Sequence, residues 1–414
     1  MRSWFNIAIR NLMKNRRRSL FTVLAIALGF SAVTLFGAFT SYMYAGNREG
    51  SIYSSYMGHI LIARKGLEDS WREDPKKFLL TPEEMDYITR TCQQIPEILL
   101  IAPQMRINGL ISDGKTSTIF VAQGIVPAVQ DVFARETRLR LMEPYEGKPL
   151  SDTDIYGVGI SKGLANILKL DLGSEAVIMG TTVDGQMNAF DVTVSYLFNA
   201  PAAAINERFL RVPFQLAQKL YDTDGAHYIS LLLKDTKQTE AVRTKLSKIF
   251  ADDHRDLGMK TWNEISEWYN KVKEMFDMIF FFLFAIVFII VVMSVINTMS
   301  MSVMERTREI GTLRALGLKR FGIIRLFAIE SGLLAFGGIL GGGFLSLVGW
   351  FLVYALEPKW TPPGITARIP LQLYFSASQI MMSMFFLLIL CMIASILPAR
   401  KAAYRNIVDA LGHV

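Results

Sequence analysis

The sequence predicts an α-helical membrane protein with four transmembrane helices and an α+β domain inserted between the first and second. Two observations carry that expectation. Hydrophobic residues make up 51% of the 414 residues and charged residues only 20%, too apolar for an ordinary soluble enzyme. The apolar residues also gather into four runs, each near the ~20 residues that a helix needs to cross a hydrocarbon core of ~30 Å.

Taken in order, residues 1–19 form a basic amphipathic helix, 20–45 the first span and 46–275 the inserted domain with its stalk. Residues 276–303 form the second span, 304–326 a short connecting helix and 327–356 the third span. A loop over 357–377, a fourth span over 378–398 that Pro398 ends, and a tail over 399–414 complete the chain. The first span is too long, and lacks a closing A-x-A site, to be a cleavable leader.

Charge sets the orientation. Arg2, Arg10, Lys14, Arg16, Arg17 and Arg18 stand before the first span with no acid among them. With the 304–325 connector and the tail they carry a net charge of +12, whereas residues 46–275 hold 27 basic and 31 acidic residues. By the positive-inside rule both termini and the connector face the cytoplasm, and the inserted domain lies outside. The overall charge of +7 is thereby a topology signal, and a nucleic-acid footprint is excluded.

Within the inserted domain, Thr81 and Pro82 open a helix as N-cap and first helical residue. Asp113-Gly114 and Asp184-Gly185 mark two hairpins. Strands are expected at MGHILIARKG, YISLLLK and GMKTW, and helices at VGISKGLANILKL, VPFQLAQKLY and TKQTEAVRTKLSKIF. The helix NEISEWYNKVKEMF should run straight into the second span.

Gly109 to Thr116 matches the G-x-x-x-x-G-K-[ST] phosphate-loop pattern, but Lys115-Thr116 leads into Ser-Thr-Ile-Phe-Val, strand chemistry rather than the helix that cradles phosphate. Cys92 and Cys391 are too few for a disulfide framework. His59, His227, His254 and His413 lack ligand spacing, so no metal site is expected. The domain offers no nucleophile–base or paired-acid constellation, and the chain reads as non-catalytic.

The connector Met304-Glu-Arg-Thr-Arg-Glu-Ile-Gly-Thr-Leu-Arg-Ala-Leu-Gly-Leu-Lys-Arg320 is the informative stretch. Glu305, Arg308 and Glu309 stand at pairing distances along a helix, Ile310, Leu313, Leu316 and Leu318 form an apolar stripe, and Gly317 is placed to end the helix. Such a helix either anchors the loop at the membrane surface or docks a cytoplasmic protein. Glu330, just inside the third span, reads as an interface acid bonded to backbone or to a nearby arginine. Gly337, Gly338, Gly341 and Gly342 contain overlapping G-x-x-x-G spacings for close helix packing within one subunit, with a dimer contact or a hinge as the alternatives. Trp262, Trp268 and Tyr269 sit beside the second span, where aromatic residues favour the membrane interface.

ERTREIGTLRALG closely resembles the signature loop of the FtsX-like permeases, the transmembrane subunits of type VII ABC transporters (the MacB/LolC/LolE superfamily). The likeness covers nearly the whole chain, from the basic helix WFNIAIRNLMKNRRRS through Glu330 and the Gly-rich third span to PARKAAYRNIVDAL, where Ile407 or Val408 stands in place of the family's usual proline. It implies that Glu305, Arg306, Arg308, Glu309, Gly311, Leu313, Arg314 and Gly317 form a coupling surface for a cytoplasmic ATPase. ATP and Mg²⁺ would bind that partner and no cofactor this chain.

The resemblance further implies a bacterial inner-membrane location, a periplasmic inserted domain and a second permease subunit, identical or homologous. The Trp262–Tyr269 segment becomes a stalk joining domain and span. Layout is nearest to the lipoprotein-releasing LolC/LolE permeases. On that reading Phe280, Phe281, Phe282 and Phe284 line a cavity for acyl chains among membrane lipids, although buried packing explains them equally. The Asp184-Gly185 hairpin would face a periplasmic carrier. Alternatives are MacB-type mechanotransmission with an adaptor and outer-membrane channel, and FtsX-like regulation of a cell-wall hydrolase.

Overall fold

The computed structural model describes residues 2–67, 75–136, 144–200, 203–361 and 368–406. The family tail at Ile407 and Val408 and His413 lie outside the described residues. In chain order, helices α1 (Arg2–Lys14) and α2 (Arg16–Glu49) are followed by a π-helical turn, Gly50–Ser54. Then come β1 (Ile60–Arg64), α3 (Pro82–Gln93), β2 (Ile98–Ser112), β3 (Ser117–Ile125), α4 (Val129–Glu136), β4 (Pro144–Gly147) and β5 (Gly157–Ser161). Helix α5 (Lys162–Leu168), β6 (Glu175–Thr181), β7 (Met187–Phe198), β8 (Phe209–Pro213) and α6 (Phe214–Tyr221) continue the domain. Strand β9 (Tyr228–Leu233), α7 (Thr239–Asp252) and β10 (Leu257–Thr261) close it. Last come α8 (Glu267–Glu305), α9 (Thr307–Ala315), α10 (Arg320–Leu356) and α11 (Ala377–Ala403).

The chain divides into two compact units, residues 1–44, 272–358 and 370–414, and residues 45–271 and 359–369. In the first, α2, α8, α10 and α11 are the helices among the described residues long and apolar enough to cross a membrane. Their shared core includes Ile26, Phe30, Val291, Val295, Phe327 and Cys391. Close approach of α2 and α10 is enforced by small residues. A Cβ on Gly338 would lie 2.4 Å from Ile26, and one on Gly342 would lie 2.5 Å from the Ala27 carbonyl. Hydroxyls add cross-links: Thr22 meets Thr298 at 2.5 Å, Ser331 donates to Ser395 at 2.9 Å and Ser346 to Ser31 at 3.4 Å. Pro398 does not end the last helix. Helix α11 runs on to Ala403, because a proline removes only one N–H while buried Ala399, Ala402 and Ala403 hold the final turn in the core.

In the second unit, β1-α3-β2 and β9-α7-β10 form a split βαβ arrangement with strand order β10-β1-β9-β2. Ile60, Ile62, Ile88, Leu231, Leu246 and Phe250 fill the layer between that sheet and the two helices. Helix α3 begins as the sequence predicts. Thr81 Oγ1 accepts from Glu84 N–H at 3.3 Å, the Glu84 carboxylate accepts from Thr81 N–H at 2.9 Å, and Pro82 takes the first position.

Strand β2 is 15 residues long and belongs to two assemblies. Its first half pairs with β9; its second half pairs with β3 and β6. From there β3, β8, β5, β7 and β6 bond in sequence and β6 returns to β2, closing a ring around Ile107, Phe120, Ile160, Val194 and Leu210. Two expected helices prove shorter. Gly157–Ser161 and Phe209–Pro213 are strands, almost wholly buried on both faces, so neither shows the alternation that betrays a half-exposed strand. The Lys115-Thr116 pair sits in the turn between β2 and β3 and leads into β3, as the rejection of a phosphate loop requires.

The stalk also departs from expectation. Trp262–Ile265 is a separate helical turn, and Ser266 (φ −87°, ψ 74°) breaks it from α8. The Glu264 carboxylate accepts from Thr261 N–H at 2.9 Å and thereby stabilises the short turn as a unit.

Candidate functional site

The candidate site is built around α9 in the helical unit. Arg306 (φ −112°, ψ 16°) interrupts the α8 path, and α9 starts one residue later. At the far end Gly317 adopts φ +93°, Gly317 N–H donates to Arg314 C=O and Leu318 N–H to Leu313 C=O. This is the Schellman closure expected of a glycine just past a helix, since other residues strain in that conformation.

Arg306 points inward. Its guanidinium donates Nε to Glu309 at 3.0 Å and Nη1 to Glu330 at 2.9 Å, and it lies 5.9 Å from the Phe327 ring centre. Glu330 is only 1% exposed and accepts a second bond, 2.6 Å, from Asn11 on α1. A buried carboxylate in such a place needs a charged partner and further donors, and it has both. Three more contacts bind the start of the chain to the connector: Lys14 to Glu309 at 3.3 Å, Asn15 to Glu305 at 2.8 Å and Arg18 to Glu305 at 3.0 Å. Burial raises the Glu309 pKa, but bonds from Arg306 and Lys14 outweigh it and hold the carboxyl below the usual range. On the other side Arg314 Nη1 donates to the Arg405 carbonyl at 2.6 Å, and Arg405 Nη1 to Thr307 Oγ1 at 3.3 Å. Helix α9 is therefore moored to α1, α10 and the end of α11.

The expected coupling residues fall into two groups. Glu305, Arg308, Glu309 and Gly317 are exposed, and Leu313 and Arg314 are half-buried. Arg306 and Gly311 are buried, so neither offers a side chain to an outside partner. Leu316, expected on the apolar stripe with Ile310, is 81% exposed because it caps the helix where the chain turns away. The outward face comprises Arg308, Thr312, Ala315 and Leu316, with Phe321 exposed on the next element. The basic amphipathic helix over 1–19 was legible in the sequence, but the acidic partners of Asn11, Lys14 and Asn15, some 290 to 320 residues away, were not.

The remaining candidates separate as well. Gly338 and Gly342 pack against α2, whereas a Cβ on Gly337 or Gly341 would find only ordinary or slightly tight contacts. Phe280 and Phe284 stack in line with Phe36, while Phe281 and Phe282 point away from the core, 66% and 59% exposed. Phe284 lines an apolar groove of about 370 Å³ with Phe30, Val287, Phe288, Phe386 and Leu390. In the inserted unit Trp262 and Tyr269 meet edge to face at 5.0 Å, and Trp268 is exposed. No cluster of three or more metal-ligating side chains occurs among the described residues.

Comparison with known proteins places these features. Residues 19–249 match the MacB-like periplasmic core domain and residues 281–407 match the FtsX-like permease C-terminal domain. The chain belongs to the MacB/FtsX-like family of ABC transporter permeases. An uncharacterized ABC transporter permease of Methanocaldococcus jannaschii is 25% identical over 64% of this chain and 64% of its own. The macrolide export ATP-binding/permease protein MacB of Salmonella paratyphi A is 26% identical over 59% of this chain, and the match spans 36% of that protein. The periplasmic region of MacB from Actinobacillus actinomycetemcomitans superposes with a TM-score of 0.38 at 13% identity, covering 53% of this chain and 94% of that structure. In this FtsX-like permease the C-terminal match takes in α9, its mooring residue Glu330 and the end of α11. The MacB-like match takes in most of α2 and continues through α7.

Proposed function

We propose that this permease relays the ATP-driven motion of a partner ATPase, through α9, to its inserted domain. The single observation that supports this most is the mooring of α9: one short helix, closed at its end by Gly317, holds ties to α1, α10 and the end of α11 while presenting Arg308, Thr312 and Leu316 outward. A push on that face is delivered to three helices at once. ATP and Mg²⁺ belong to the partner. The charge asymmetry of the sequence supports a cytoplasmic side for both termini and α9 and the opposite side for the inserted domain. Family membership supports a bacterial inner membrane, a periplasmic inserted domain and a second permease subunit.

The cargo reading is lipid-like, a lipoprotein or another molecule drawn from the outer leaflet. It is favoured by the 370 Å³ groove, where Ser383 is the one hydroxyl in an otherwise apolar lining. A MacB-type efflux role, with adaptor and outer-membrane channel, is the competing reading.

Purification of the native complex through a tag on this chain tests both levels. Arg308→Glu should leave the complex in the membrane yet weaken its ATPase association or uncouple hydrolysis. Normal association and coupling in that variant would refute the α9 assignment. Bound acylated protein or lipid favours extraction; a co-purifying adaptor with no lipid cargo favours efflux.

A further inference from the structure

The first residues of the inserted unit are held by a row of buried polar side chains that the coupling reading leaves without a role. The π-helical turn Gly50–Ser54 continues the path of α2, and the backbone then reverses through Tyr56 at φ +57° and Gly58 at φ +70°. A helix ending in a protein interior leaves carbonyls without partners, at the negative end of its dipole. Backbone N–H groups take up the Gly50, Ile52 and Tyr53 carbonyls, while the last carbonyl of the turn, Ser54, and the three that follow are taken up by side chains from four neighbouring strands.

Arg211 on β8 donates Nη2 to Ser54 C=O at 3.1 Å, and Gln123 on β3 donates to Ser55 C=O at 2.9 Å. Gln104 on β2 donates to Tyr56 C=O, and Ser230 on β9 to Met57 C=O at 2.8 Å. Gln123 also donates to Gln104 Oε1 at 3.1 Å, tying the row together. The strands stand side by side in the order β9, β2, β3, β8, with Gln123 directly opposite Arg211.

All four donors are buried, and Arg211 is fully so. Its guanidinium lies 4.1 Å from the Tyr56 ring centre and 5.0 Å from that of Phe198, so a cation sits at the helix end between two π faces. Tyr56 in turn packs edge-on against Phe133. A left-handed tyrosine is an uncommon conformation, kept only where the surroundings dictate it. Four charged or polar donors set into the interior of a sheet are costly unless hydrogen-bonded, and here each is bonded to a carbonyl of this one segment.

We propose that Arg211, Gln123, Gln104 and Ser230 are positioning residues that form the joint between residues 54–57, just beyond α2, and the sheet, so that displacement of the first span is delivered to the strands without slippage. The proposal rests on the coupling reading above and adds the residues through which that coupling enters the inserted domain.

The test is hydrogen exchange on the native complex, with and without ATP plus vanadate. In the wild type, nucleotide should change exchange both over residues 306–318 and over 98–125. Arg211→Met should speed exchange of the Gly58 and His59 amides about tenfold or more without nucleotide. It should also abolish the response at 98–125 while leaving that at 306–318, and Arg211→Lys should restore the lost response. If Arg211→Met does not fold, Gln123→Leu, similar in volume, replaces it with the same readings expected.

The joint is refuted if the Gly58 and His59 amides are unaffected, or if 98–125 responds as in the wild type while 306–318 also responds. A wild-type complex silent at 306–318 is a different failure, that of the coupling reading.

Discussion

At the scale of single residues, burial of charge is the recurring device. Arg306 and Glu330 are paired inside the helical unit, 6% and 1% exposed. Arg306→Met or Glu330→Leu alone should cost about 3–5 kcal/mol by stranding the other charge, and the double substitution should recover most of that loss. Thermal unfolding of the three variants in detergent checks it; a loss in the double variant equal to the sum of the two single losses would show that the pair is not coupled.

Two histidines in the inserted unit act by being neutral. His59 is pushed down to about 4 by burial and then by nearby Arg48, against the opposing pull of Asp235, and His227 to about 4 by burial and Arg106. His59 Nδ1 accepts from Leu233 N–H at 3.0 Å, while Nε2 pairs with Thr236 Oγ1 at 2.9 Å. With folded pKa values below the unfolded 6.5, the unfolded chain binds more protons in between. Stability contributed by the neutral rings is complete above pH 6.5 and declines as pH falls toward 4, by about 3 kcal/mol per histidine. Exchange at residues 58–61 and 226–233 should accelerate across that window, and His59→Gln should flatten the first of the two.

At the scale of elements, small-residue packing makes a graded prediction. Gly338→Leu and Gly342→Leu drive atoms into Ile26 and the Ala27 carbonyl and should destabilise the helical unit by about 3 kcal/mol or more. Gly343→Leu, which meets nothing within 4 Å, should be tolerated. Comparable losses at all three positions would remove the α2–α10 packing argument. The Gly-rich stretch showed that helices meet closely, but the particular pair of glycines follows from the rotation of α10 about its axis, which no pattern of glycines specifies.

The same limit explains other elements. Thr81-Pro82 and Gly317 were readable because caps and left-handed glycines are local chemistry. Strands β5 and β8 were not, since burial on both faces erases the period. Arg306 looked like a surface cation beside Glu305 and Glu309; its inward path is set by Glu330, 24 residues further on. The joint donors Gln104, Gln123 and Arg211 stand in the sequence as isolated polar residues among apolar ones, with nothing to name their carbonyl partners.

At the scale of the whole molecule, sidedness is open to direct measurement. Lys115 lies in the exposed β2–β3 turn and Leu316 at the exposed end of α9, while native Cys92 and Cys391 are buried. With Lys115→Cys, a membrane-impermeant maleimide should label intact spheroplasts; with Leu316→Cys it should label only after lysis. The reverse pattern would invert the orientation drawn from the charge distribution.

Strand β2 has a consequence of its own. One uninterrupted backbone serves as the wall of the β9 layer and as a stave of the closed ring. Neither half can come apart without stripping the other of a hydrogen-bonded neighbour. The inserted unit should accordingly melt in one calorimetric event, and a pull on any strand of the β9 layer should be felt as far as the β6–β7 hairpin.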